Sequence, residues 1–130
     1  MKRILLSCFL LTATCSAVFV QNASAQSSAA TVTASGFTAK VNQLDAQIAS
    51  GDMAAAQATW GVVHQMMITE LGITKHSIMG AATPEAKATL NTLMKNQRDA
   101  YAATMPLKTD LAANRAALHT KLGQFATLIQ

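Results

Sequence analysis

The chain has 130 residues, of which 51% are hydrophobic and 12% charged, with a formal net charge of +4 and two cysteines. That is enough chain for one small domain, and basic residues so few and so interspersed with acids leave nucleic acid out of the expected partners. Alanine, leucine, methionine, glutamine and lysine are abundant while alternating β-branched runs are missing, so the composition predicts an all-α fold.

Lys2 and Arg3 form a basic start, residues 4–20 an apolar run, and Ala23-Ser24-Ala25 a small-residue cleavage site, which together read as a secretory signal peptide over residues 1–25. Ser7, Thr12, Thr14 and Ser16 interrupt the apolar run, which argues against a retained anchor. Thr12-Ala13-Thr14 ahead of Cys15 lacks the leucine and small residue of a lipoprotein signal. Cleavage after Ala25 sends the protein to the periplasm or outside the cell, and the membrane then matters only during export. It also removes Cys8 and Cys15, so the processed chain holds no disulfide, thiolate metal site or cysteine nucleophile. Loss of Lys2 and Arg3 takes the basic residues from 10 to 8 against 6 acids, a net charge of +2.

Residues 26–36 are small and mostly polar and read as a flexible leader; the helical domain is expected over 37–130. Phe37, Val41, Leu44 and Ile48 are spaced as one face of a first amphipathic helix. Gly51 suits a left-handed cap to end it, and Asp52 can accept hydrogen bonds from the free N–H groups that open the next. That second helix carries Met53, Ala56, Trp60, Val63, His64, Met67 and Leu71 on one side. Gly72 is the expected weak point, with helical turns beyond it as far as Gly80.

A third helix is announced by Thr83 as a cap, Pro84 at the first helical position and Glu85 at the positive end of the dipole. Ala86, Leu90, Leu93, Met94, Gln97 and Tyr101 share its apolar side. The five residues Thr83-Pro84-Glu85-Ala86-Lys87 resemble the Leu-Thr-Pro-x-Gln loop of the Spy and CpxP periplasmic stress proteins, helical cradles that bind unfolding chains. Ala82 stands where that family has leucine and Ala86 where it has glutamine, and no functional residue is carried over. Pro106 then interrupts the helical pattern, and Leu107, Leu111, Leu118, Leu122, Phe125 and Ile129 resume it. With no Gly, Asn, Asp or Ser between Ala102 and Pro106, two architectures stay open. One is a closed antiparallel bundle of three to four amphipathic helices; the other is an elongated hairpin whose last two helices form one rod kinked at Pro106.

Two His-x-x-Met patterns, His64 with Met67 and His76 with Met79, invite a metal reading, because residues three apart on a helix are neighbours and imidazole with thioether suits copper(I). On one continuous helix the second pair is turned about 120° from the first, so a shared ion requires a break at Gly72. A haem between helices would use His119, but no methionine lies opposite it on the first helix, and Cys-x-x-Cys-His is absent; no cofactor is expected. Six acids in the processed chain show no catalytic arrangement, and no Glu-x-x-His pair marks a di-iron site, so an enzyme is not expected. The residues lead to an exported helical protein that binds a protein partner or a second copy of itself through an apolar helix face. Trp60, Val63, His64, Met67 and Leu71 are the candidate residues if that face is uncovered. Copper binding through His64, Met67, His76 and Met79 is the alternative, and a purely structural or self-associating bundle is the third reading.

Overall fold

The computed structural model describes residues 31–130. The expected signal peptide and the start of the leader lie outside the described residues. Four helices follow in order, α1 (Ala34–Ser50), α2 (Met53–Gly80), α3 (Pro84–Thr104) and α4 (Arg115–Ala126), with a short 3-10 helix, Met105–Thr109, between the last two. Among the described residues there is no strand, and the fold is all-α.

Helix α1 begins inside the stretch expected to be leader. Thr33 caps it by accepting a hydrogen bond from the Gly36 N–H at 3.1 Å, and Val32 is buried just before it. Phe37, Val41, Leu44 and Ile48 are all buried, as their spacing predicts. At the far end Gly51 takes a φ of 78°, and the Gly51 and Asp52 N–H groups close onto the carbonyls of Ile48 and Gln47. This left-handed cap satisfies carbonyls that a free helix end leaves bare. Asp52 then accepts from the Ala55 N–H and starts α2, so the chain reverses within two residues.

Helix α2 runs unbroken through Gly72 for 28 residues, against the weak point expected there. One glycine in a helix interior costs about 1 kcal/mol relative to alanine, which packing of the flanking residues offsets: Met67, Glu70 and Thr74 are all buried around it. Thr83 caps α3 by accepting from the Ala86 N–H, with Pro84 in the first turn.

Between α3 and α4 the chain turns back, so the single kinked rod is not adopted. The reversal occurs after Pro106. Thr109 donates to the Pro106 carbonyl, Asp110 accepts from the Ala113 N–H, and the Asn114 side chain donates to the Leu107 carbonyl. Asp and Asn make such local bonds in turns. Here they lie a few residues beyond the stretch in which the sequence lacks turn formers. Leu111, in the turn, is buried under the base of the bundle.

Cross-helix pairs fix the directions. Phe37 meets Phe125 with ring centroids 5.4 Å apart, and Asp45 meets Arg115, so α1 and α4 are antiparallel. His64 meets Tyr101 and Glu70 meets Gln97 across α2 and α3, while Gln97 reaches the Leu128 carbonyl just past α4. The result is an up-down-up-down four-helix base whose core joins α1, α2, α4 and the turn. Each large apolar side chain buried there contributes about 1.5–3 kcal/mol.

The helices differ in length, and that shapes the molecule. Helices α1 and α4 have 17 and 12 residues against 28 and 21 for α2 and α3. The short pair stops at the level of Glu70 and Gln97. At 1.5 Å per residue, α2 rises about 15 Å further to Gly80 before α3 returns. From Lys75 to Leu93 no residue is buried. The molecule is thus a closed base carrying a two-helix projection.

Candidate interaction surface on the second helix

Helix α2 is apolar on more than one side, which is unusual for a helix at a surface. Its inner side holds Ala56, Val63 and Met67, fully buried in the core, with Trp60 almost so. His64 and Leu71 sit at the edge of that side and are half-buried. Of the five candidate partner-binding residues, three are therefore covered by the bundle itself. The stripe through Trp60, Val63 and Met67 faces the inside of the protein.

Trp60, His64 and Tyr101 form a row across α2 and α3. The His64 ring lies 6.1 Å from the Trp60 ring and 5.6 Å from that of Tyr101, and its Nε2 is 2.9 Å from the Tyr101 hydroxyl, where either atom can donate. A partly buried imidazole thus gains a polar partner and two aromatic neighbours.

The two His-x-x-Met pairs are kept apart. On the continuous helix they are separated by about 18 Å and turned about 120° from one another. Met67 is buried with no exposed surface, while His64 is engaged with Tyr101. His76 and Met79 are exposed near the tip of the projection. Among the described residues no three His, Cys, Asp or Glu side chains gather as metal ligands.

Two other polar clusters stand outside α2's inner face or at its edge. Asp45 and Arg115 form a two-pronged pair, with bonds of 2.7 and 2.8 Å, and His119 Nδ1 lies 3.8 Å from the same carboxylate. The hydrogen bond from Arg115 holds the Asp45 carboxyl below its ordinary pKa. The hollow beneath this pair, between Leu44, Ile48, Leu118 and Leu122, has about 10 Å³ of space, at the limit for one water molecule. It cannot take a ligand.

Glu70, the single acid of α2, is only 2% exposed. Burial raises its pKa, opposed by the backbone of Gln130 and by Gln97, whose amide donates to Glu70 Oε1 at 3.3 Å and to the Leu128 carbonyl at 2.9 Å. The Gln97 Oε1 is buried without a partner. This cluster ties the chain's last residues to α2 and α3 where the base ends.

The outer side of α2 is the remaining candidate. The large hydrophobic residues left exposed among the described residues are Val62 (46%), Ile68 (41%), Ile73 (36%) and Met79 (67%), and all four lie on this helix. Val62 and Ile73 are about three turns apart on one flank; Ile68 and Met79 are about three turns apart on the other. Between the flanks lie Gln65, Thr69, Gly72 and His76. Next to Val62 a groove of about 310 Å³ is lined by Gln65, Met66, Thr69, Thr31 and Val32. The outer side of α3, by contrast, bears Lys87, Lys95, Arg98 and Asp99, all exposed. The sequence carried a signal for this surface: Val62, Ile68 and Ile73 are apolar and fall off the inner stripe, whereas an amphipathic helix would have polar residues there. No helix of the described residues is long and apolar enough to cross a membrane.

The chain matches no protein-family model, no curated protein and no solved structure.

Proposed function

We propose that this is an exported, non-enzymatic interaction module that binds through the outer side of α2. The observation that carries the reading is the confinement of Val62, Ile68, Ile73 and Met79, the exposed large apolar residues among those described, to one helix. Exposed large apolar residues gathered on one side of one helix, on both flanks of a narrow uncharged strip, single that side out as a site for another macromolecule. Lys75 and His76 are the titratable residues exposed on this helix, so covering it desolvates little charge. The copper reading is weaker, because His76 and Met79 supply two donors and the other pair is engaged inside.

The reading is tested with an apolar fluorescent probe such as anilinonaphthalene sulfonate, added to protein dilute enough to be monomeric. Emission should rise on binding and fall away in the Ile68→Ser, Ile73→Ser double variant, whose helicity by circular dichroism stays unchanged. A dilute protein that leaves the probe dark, or a double variant that binds it as well, overturns the proposal.

A further inference from the structure

The exposed side of α2 reads the same in both directions. Take the point halfway between Glu70 and Leu71 and step outward: Thr69 is matched by Gly72, Ile68 by Ile73, Gln65 by His76, Val62 by Met79 and Gly61 by Gly80. Large apolar residues are matched by large apolar residues, and the polar centre by a polar or small one. We propose that α2 pairs with α2 of a second copy of this chain, antiparallel, about a two-fold axis at that midpoint. The inference rests on the reading of α2's outer side as a binding surface and names its occupant.

A two-fold interface demands a patch that complements itself, since each residue that meets another is met by it in return. Built on this helix, the symmetry brings Ile68 against Ile68 on one flank and Ile73 against Ile73 on the other. Val62 comes over Gly80 of the second copy, and Met79 over Gly61. In the middle, Thr69 meets Gly72 and Gln65 meets His76, whose ring nitrogens can bond the amide. Lys75 falls at the level of Met66 of the second copy, so no like charges oppose one another.

The glycines give a second, independent reason. A β-carbon added at Gly61, Gly72 or Gly80 would meet nothing within 4 Å, and all three have ordinary helical backbone rather than a positive φ. Nothing inside the chain requires them, and helix interiors disfavour glycine. All three lie on the outer side, where small residues let a second helix approach closely, as the pairing above requires.

The size of the surface sets the strength. From Gly61 to Gly80 the face is about 30 Å long and about 10 Å wide, well short of the ~800 Å² per partner of a standard stable interface. The dimer therefore belongs to the weak, transient class, and about 1 to 100 µM, or about −8 to −5.5 kcal/mol, is the range of dissociation constants to search.

Sedimentation of the processed chain over a concentration series decides the matter. A monomer–dimer equilibrium in that range is expected, abolished in the Ile68→Glu, Ile73→Glu double variant and weakened by roughly tenfold in Gly72→Ala, where the added methyl group keeps the helices apart. The chain from Gln26 onward lacks cysteine, so Gln65→Cys combined with His76→Cys introduces its only thiols, too far apart along one helix to bond within a chain. Under mild oxidation this variant should give a covalent dimer, because the proposed register brings the two positions together between copies. Circular dichroism and Trp60 emission verify that each variant is folded. A protein that stays monomeric at about 500 µM, several times the weakest constant expected, overturns the second copy as occupant. So does a dimer indifferent to the glutamates, or one that will not cross-link. If the dilute protein still binds the apolar probe in those cases, the surface stands and its partner is another chain; if it does not, both proposals fall.

Discussion

Below Glu70, α2 has α1 on one side and α3 on the other, with α4 closing the ring; above Thr74 it has α3 alone. Both regions are helical and both are capped well, by Thr33, Asp52 and Thr83. What separates them is burial. The base holds Phe37, Phe125, Leu44 and Leu122 with essentially no exposed surface, whereas in the projection Leu90, Leu93 and Ile78 keep part of their surface in water. Local propensity and capping give helices in both places, but tertiary packing supplies most of a helix's stability, and only the base has it. The projection is a helical hairpin supported from below.

The widest gap between the regions should appear on truncating a large side chain in each. Phe125→Ala removes a ring packed 5.4 Å from Phe37 and should destabilise the protein by about 3–5 kcal/mol in urea unfolding. Leu90→Ala, on the projection, should cost less, about 1–2 kcal/mol, because its side chain is only partly covered and the gap it leaves opens to solvent instead of forming a closed cavity. Equal losses at the two positions would dissolve the distinction between base and projection.

Glu70 marks the border, and its effect on stability has a definite sign. Its folded pKa is raised by burial above the ordinary 4.5 of a glutamate, so the native state binds its proton more tightly than the unfolded chain. The resulting stability is present in full below the unfolded pKa and is lost as pH rises through the folded one. Glu70→Gln should therefore flatten the decline in stability above about pH 4.5 and raise it at neutral pH. The new amide can also donate to the buried, unpartnered Gln97 Oε1, and relieving such a group is worth roughly 1–3 kcal/mol. Unfolding midpoints measured from pH 4 to pH 8 test this. A variant that follows the parent's pH profile would place the titration elsewhere and leave Glu70 as no more than a packed side chain.

How far all this could be seen in the sequence varies with the range of the interactions involved. The buried face of α1, the Gly51 reversal and the Thr83-Pro84 start are local patterns, fixed by residues a few positions apart, and they were legible; the side of α3 was legible in part, since Met94 and Gln97 are buried while Ala86 is exposed where the helix leaves the base, and Thr104 is buried outside the expected set. The turn after Pro106 was not, because Asp110 and Asn114 act on the Ala113 N–H and the Leu107 carbonyl only once the 3-10 helix has brought them round. The continuity of α2 through Gly72 was hidden for a similar reason: the packing that outweighs one glycine comes from helices distant in sequence. The stripe through Trp60, Val63 and Met67 was correctly found as one face, but periodicity alone cannot tell a face turned to the core from one offered to a partner. What could have separated them is the second apolar side of the same helix, at Val62, Ile68 and Ile73. A helix with two apolar sides has one to spare.

The smallest effect belongs to the base's surface, where the Asp45–Arg115 pair bridges α1 and α4. Its geometry is good, with two bonds of 2.7 and 2.8 Å, but both side chains retain contact with solvent, and exposed pairs are screened. The lowered Asp45 pKa gives the opposite sign to Glu70: this contribution is present above the ordinary 3.8 of an aspartate and fades as pH falls through the folded value. Asp45→Asn should therefore matter at neutral pH and become indistinguishable from the parent in strong acid. Arg115→Ala should show the same loss at low ionic strength and little at about 1 M salt, where the screening length is about 3 Å. If the pair's contribution survived high salt, the seam between α1 and α4 would be held by a desolvated ion pair, and the base would depend on more than the apolar packing around Phe37 and Phe125.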